Sequence, residues 1–169
     1  MIKTYDLIII SGAPGSGKST ISEILQKKLE SPMIDFGRLR EFHLDREWKK
    51  QSEKEKQMTF ENLVFILKNY IKNKYKNVII NDIVDNHALD LMRIFAKNKC
   101  LLITLVVEDK ELSKRVIGPR DSGFKDINKA LQWNKELRER KRVENEHVID
   151  NSHNSPEKTA RDIIEIMQT

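Results

Sequence analysis

A glycine-rich segment, Gly12-Ala13-Pro14-Gly15-Ser16-Gly17-Lys18-Ser19-Thr20, constrains this chain more than any other stretch. It follows the apolar run Leu7-Ile8-Ile9-Ile10 and leads into residues 19–29, where Ile21, Ile24, Leu25 and Leu29 recur at helical spacing. An unbroken apolar run ending at Ser11-Gly12 reads as a strand buried on both faces, the pattern of a parallel sheet. A parallel strand feeding a helix through a tight turn requires crossover connections, and so an α/β architecture.

The same alternation continues along the chain. Met33-Ile34 is a short strand after the breaker Pro32 and ends at Asp35. Ser52 and Glu55 make a capping box for a helix carrying Phe60, Leu63, Val64, Leu67, Tyr70 and Ile71 on one stripe. Val78-Ile79-Ile80 is the next strand and ends in Asn81-Asp82. A helix from about Ala88 to Lys97 leads to a strand over Leu101 to Val107. Helices are expected from about Lys110 to Ile117 and, after Gly118-Pro119 and Ser122-Gly123, from about Ile127 to Arg142. His147-Val148-Ile149 is a last short strand. Ser155-Pro156-Glu157 opens the final helix with an N-cap, a proline at the first helical position and an acidic first turn. Residues 41–57 are polar and expected to be helical, outside the sheet. The pattern predicts one domain over residues 1–169, with helices on both faces of a five-stranded, largely parallel sheet.

Gly12-x-x-x-x-Gly17-Lys18-Ser19 matches the P-loop pattern, in the strand-to-helix setting that motif requires. Glycines permit backbone angles that let successive N–H groups converge on one anion, and the following helix aims its positive end at the same point. Lys18 is expected to reach the β- and γ-phosphates, and the Ser19 hydroxyl to ligate magnesium bridging them. Thr20 is placed for the α-phosphate. The segment from Gly12 through Ala13, Pro14, Gly15, Ser16 and Gly17 to Thr20 therefore predicts Mg2+ and ATP as ligands.

Composition narrows the setting. Of 169 residues, 38% are hydrophobic and 34% charged, as in a soluble globular protein rather than a disordered one. The net charge of +5 suits phosphate-bearing ligands but is too dispersed to argue for nucleic acid. Cys100, the one cysteine, excludes an intrachain disulfide and reads as a buried thiol. No apolar stretch reaches the length of a membrane span or signal peptide, so a cytoplasmic location is expected. His43, His87, His147 and His153 show no metal-ligand spacing, and Arg138 to Arg142 reads as a solvated helix face.

With its P-loop near the N-terminus, an acid at the end of the second strand, an arginine-bearing segment after the fourth and a closing strand–loop–helix, the chain resembles the small P-loop kinases of the nucleoside, nucleotide and shikimate kinase type. The resemblance implies the three-layer α/β/α P-loop NTPase fold, with a small helical lid at about residues 115–126. It implies that Asp35 accepts the proton of the attacking hydroxyl; the residue could equally cap the helix that follows it. Asp35 with Arg38 is like the acid–arginine pair of polynucleotide 5′-kinases, where the arginine holds a substrate phosphate. Gly37-Arg38-Leu39-Arg40 looks like the substrate-binding helix of adenylate-type kinases. Asp82 ends its strand in the Walker B manner and could hold a magnesium-bound water, or could be a turn residue. Where adenylate kinases have Gly-x-Pro-Arg, this chain has Ile83-Val84-Asp85-Asn86, and an expected phosphate-gripping arginine is missing.

Leu112-Ser113-Lys114-Arg115-Val116 with Gly118-Pro119-Arg120-Asp121 resembles the family's lid, in which Arg115 and Arg120 would fold over the triphosphate. A helix end answering its macrodipole is the plainer alternative. Asn151 and Ser152 look like the corner that contacts adenine. The expected activity is transfer of the γ-phosphoryl of Mg-ATP to a small-molecule acceptor, with Asp45, Arg46, Glu47 and Trp48 as acceptor-side candidates by location alone. A polynucleotide 5′-kinase and a non-catalytic nucleotide-binding protein are the alternatives. Nucleic acid is not favoured as a partner, and a motor or AAA-type ATPase is set aside because the chain has little room for a further helical domain.

Overall fold

Continuous apolar runs become the centre of the sheet. In a computed structural model that describes residues 3–42, 52–119 and 124–168, the chain runs β1 (Leu7–Gly12), α1 (Lys18–Leu29), β2 (Met33–Asp35), α2 (Phe36–Glu41), α3 (Glu53–Lys72) and β3 (Val78–Ile83). It continues as α4 (Asp85–Ile94), β4 (Cys100–Val106), α5 (Asp109–Ile117), α6 (Ile127–Glu139), β5 (Glu146–Asp150) and α7 (Pro156–Ile166). The strand order is β2-β3-β1-β4-β5, and every neighbouring pair is parallel. β1 thus lies between β3 and β4, where the crossovers change direction and open a crevice at the carboxyl ends of the strands.

Alternation along β1 explains the three layers. Leu7 and Ile9 pack on one face with Phe60, Leu63 and Leu67 of α3 and Leu91 of α4. Ile8 and Ile10 pack on the other with Ile21 and Leu25 of α1 and Ile163 of α7. A third cluster joins Ala13 of the glycine-rich loop to Val107, Leu112 and Val116 of α5 and Ala130 of α6. This cluster seats the α5–α6 segment against the loop. Cys100 is buried, its Sγ against Phe95 O, and burial pushes its thiol pKa up to about 11. No described helix is long and apolar enough to cross a membrane.

Three departures from the sequence reading have local causes. β3 runs one residue past the expected end at Asp82, to Ile83. It pairs Ile80 with Ile9 and then Ile83 with Ser11, so Asn81 and Asp82 together stand opposite Ile10. That extra residue is a bulge, and Asp82 takes a left-handed φ of 55° within it. α4 begins at Asp85 rather than near Ala88; its N-cap, Val84, lacks the side-chain signal by which a helix start is read. α6 ends at Glu139 rather than Arg142, because Arg140 turns extended and sends its side chain into a charge cluster. The run 138–142 is therefore not a solvated face. The acceptor-side candidates Asp45, Arg46, Glu47 and Trp48, and Arg120 of the expected lid, lie outside the described residues.

Candidate active site

The loop after β1 closes on itself before it meets any ligand. Ser16 N donates to Ala13 O at 3.1 Å, and Gly15 and Gly17 take φ values of 90° and 98° that only glycine adopts without strain. At Gly12 the reason is space: a Cβ would lie 2.9 Å from Leu105 O and would collide with Ser16 Oγ. Lys18, buried, donates from Nζ to Gly12 O at 2.9 Å and Ala13 O at 3.2 Å, which holds its ammonium at the loop's inner edge. Ser19 and Thr20 are exposed on the first turn of α1.

α1 is made to receive an anion. Its N-cap, Gly17, offers no side-chain hydrogen bond, and its first turn holds no acid. Each other described helix has at least one of the two: α2, α3, α6 and α7 are capped by Asp35, Ser52, Asp126 and Ser155, and α4 and α5 carry first-turn acids. The unanswered N–H groups of α1, the glycine cradle and the Lys18 ammonium meet at one point. This donor set fits a triphosphate.

Behind the cradle stands Asn151. Its Nδ2 donates to Ser16 O at 2.8 Å, and its Oδ1 accepts from Thr159 Oγ1 at 2.6 Å. The side chain thus braces the loop from β5 and α7, and a Cβ on Gly17 would come within 2.7 Å of it. Ser152 is the next node: its Oγ accepts from Glu108 N at 2.8 Å, and its carbonyl accepts from Arg115 Nη2 at 2.8 Å. Arg115 also donates from Nε to Glu111 at 3.0 Å, so the arginine ties α5 to the corner after β5.

On the other side, β2 and β3 bring Asp35 and Asp82 to the same edge. Asp35 caps α2 by accepting from Arg38 N at 3.1 Å, and its second oxygen accepts from Asn81 Nδ2 at 3.3 Å. The two carboxylates flank Gly37, where a Cβ would lie 3.1 Å from Asp35 Oδ1 and closer still to Asp82 Oδ2. Burial lowers the pKa of Arg40, and the charge of Asp82 opposes that shift. Arg38 is exposed.

A cleft of about 350 Å³ opens beside the loop. Residues 82–86 form one wall, Trp133, Glu136 and Leu137 of α6 the other, and the loop with Lys18 the floor. Asp82 lines this cleft and Asp35 does not. Trp133 stacks with Phe124 at 5.7 Å between ring centroids.

Several residues here went unread in the sequence. Arg140 donates to both oxygens of Asp85 at 2.7 and 2.8 Å and to both of Glu146 at 2.8 and 2.7 Å. The Glu146 side chain is fully buried and also bonds Thr104 Oγ1 at 2.6 Å. Burial alone would raise its pKa; the hydrogen bonds from Arg140, Thr104 and Val143 N outweigh burial and hold it below the usual value. Asn134, also buried, bonds both backbone groups of Val107 at the end of β4, at 3.1 and 2.6 Å. A polar residue at a core position of an otherwise amphipathic helix was the one sequence signal for Asn134.

The sequence family described as AAA domain matches residues 8–122. No curated protein matches the chain. Among solved structures, a sugar kinase from Janibacter sp. HTCC2649 is 11% identical, with a TM-score of 0.72 over 96% of this chain and 94% of that one. Shikimate kinase from Bacteroides thetaiotaomicron is 16% identical, with a TM-score of 0.69 over 96% and 98% of the two chains. Thymidylate kinase from Candida albicans is 18% identical, with a TM-score of 0.65 over 99% and 92%. By the sequence match and the strand order together, the chain belongs to the AAA-domain family and carries the five-stranded α/β fold of the small P-loop kinases.

Proposed function

We propose that the protein is a phosphotransferase that moves the γ-phosphoryl group of Mg-ATP to a hydroxyl of a small-molecule acceptor. The observation that carries this reading is the start of α1, which has neither a cap nor an acid and faces a glycine cradle with the Lys18 ammonium at its edge. Kinase folds of similar span support it.

In this account the acceptor oxygen attacks the γ-phosphorus, the bond to the β–γ bridging oxygen breaks, and ADP leaves. The acceptor proton passes to a carboxylate; Asp35 is assigned that role, with Asn81 orienting it. Lys18, Arg115 and Arg120 offset the charge on the moving group. Arg38, one helical turn beyond Asp35, and Arg40 after it are assigned to the acceptor side. The magnesium ion would be held through Ser19 and, by way of water, Asp82; when bound it neutralises phosphate charge. Among the described residues no group of three His, Cys, Asp or Glu side chains could hold a metal ion.

The family description favours one competitor, an ATPase that hydrolyses without an acceptor. Asp35→Asn separates the two. A phosphotransferase should lose about 100-fold or more in acceptor-dependent ADP release while Mg-ATP affinity stays within about threefold. ADP release that needs no acceptor and is unchanged in Asp35→Asn would establish the ATPase instead.

A further inference from the structure

Charge that is dispersed along the sequence is gathered by the fold at the end of the sheet away from the loop. α3 and α4 lead into β3 and β4, so their last turns lie at the amino edge, opposite the glycine-rich loop. There, with the connection from α4 to β4, they enclose a recess of about 470 Å³. Its lining includes four cations, Lys68, Lys72, Arg93 and Lys97, and no acid. Between them lie Phe95 and Ile94, the latter 47% exposed.

Ordinary structural roles account for only part of this cluster. Lys72 and Arg93 stand in the last turns of α3 and α4 and answer the helix dipoles. Lys68 precedes the last turn of α3 and Lys97 follows the end of α4, so the dipoles do not explain them. Arg93 meets Asp90 at 2.9 Å. Lys68, Lys72 and Lys97 make no ion pair or side-chain hydrogen bond among the described residues, and neither do Lys74 and Lys99 beside them in the chain. Lys76 is neutralised by Asp6 at 2.5 Å. Residues 43–51, with their acids, rejoin the described chain at Ser52, about 24 Å along α3 from Lys68. Residues 120–123 lead into Phe124, which packs on the cluster beside the glycine-rich loop. Unpaired like charges held together repel one another, and an anion relieves that repulsion.

Shape and chemistry select the anion. The cations line a recess, which a chain can enter and a flat bilayer surface cannot. Tyr75, three residues past Lys72, is 49% exposed and is held edge-to-face against Tyr70 at 5.1 Å. Lysines for phosphates beside an aromatic ring and apolar contacts for bases are the means by which single strands are held.

We propose that the α3–α4 surface at the amino edge of the sheet binds single-stranded nucleic acid, with Lys68, Lys72, Arg93 and Lys97 on its phosphates and Tyr75 against a base. The site lies apart from the glycine-rich loop and does not depend on the phosphotransferase reading. The test is fluorescence anisotropy of a labelled oligothymidylate of about 20 nucleotides, titrated with the full chain at several salt concentrations. The wild type should bind, with an affinity that falls steeply as salt rises. The triple variant Lys68→Gln/Lys72→Gln/Lys97→Gln, at three exposed positions, should bind about 100-fold more weakly near 0.1 M salt and reduce the slope of log K against log salt by about 2. Tyr75→Ala should weaken binding about tenfold with the slope unchanged, and Tyr75→Phe should keep it. Both the triple variant and the wild type should bind Mg-ATP equally, and saturating Mg-ATP should not displace the oligonucleotide. The proposal is overturned by no binding at low salt, by full binding in the triple variant, or by displacement with Mg-ATP. Equal competition by polyglutamate or by phosphatidylserine vesicles overturns it as well.

Discussion

At the scale of single residues, the loop was legible and its support was not. Gly12, Gly17, Lys18 and Ser19 carry their meaning in local spacing, so a short window shows them. Asn151 reaches Ser16 across 135 residues of sequence, and nothing near it announces that contact. Gly17 shows how closely the two fit. Gly17→Ala forces a Cβ to within 2.7 Å of Asn151 Nδ2 at a φ of 98°. That substitution should destabilise the protein by about 1–3 kcal/mol and abolish tight ATP binding. A chemical denaturation curve and a nucleotide titration would check it, and wild-type values for both would contradict the described cradle. Asp35 was read in two ways, as a helix cap and as a proton acceptor, and the structure places it as the cap of α2.

At the scale of elements, strand and helix identities followed from apolar period, while the ends depended on contacts between elements. The break of α6 at Arg140 is the clearest case: a charged residue in a charged run looks solvated until Asp85 and Glu146 are brought to it by the fold. The bulge at Asn81 and Asp82 is equally invisible to a two-residue alternation, because it depends on the register of β3 against β1. These charges also set the response to acid. Glu146 has a folded-state pKa below its usual 4.5, so its contribution is complete above that value and is lost as pH falls toward the folded-state pKa. His87 stacks on Phe60 at 4.4 Å, and burial lowers its pKa from 6.5, an effect that Asp90 opposes and Arg40 reinforces. Its contribution is complete above 6.5 and declines below it, since the unfolded chain binds the proton more readily. Unfolding free energy should thus be level from about pH 7 to 9, decline below about 6.5 and decline again below about 4.5. His87→Phe should remove the first decline and keep the second; a first decline that survives the substitution would refute the assignment. Arg140→Ala, which leaves buried Glu146 only Arg142 at 3.7 Å as a cationic partner, should cost about 3 kcal/mol in a denaturation curve.

At the scale of the whole molecule, β1 sits at the centre of the sheet with β3 and β4 beside it, and everything named for phosphoryl transfer gathers at the carboxyl ends of these strands. The glycine-rich loop, Arg115 and Ser152 are tied together through the corner after β5. The cleft beside the loop is built by the β3–α4 connection and α6. That division was legible as a fold class, since strand–helix alternation leads to a parallel sheet with its ligands at one edge. The cleft was not legible, because it is assembled from residues 82–86 and 133–137, two segments that no local pattern connects.

The most direct measurement is the transfer of label from γ-labelled Mg-ATP to an acceptor, made with the wild type and Lys18→Ala under the same conditions. The wild type should pass label from ATP to the acceptor. Lys18→Ala, still folded by circular dichroism, should transfer about 100-fold less or lower. Undiminished transfer by Lys18→Ala, or label released by the wild type only as inorganic phosphate whatever acceptor is present, would contradict the account.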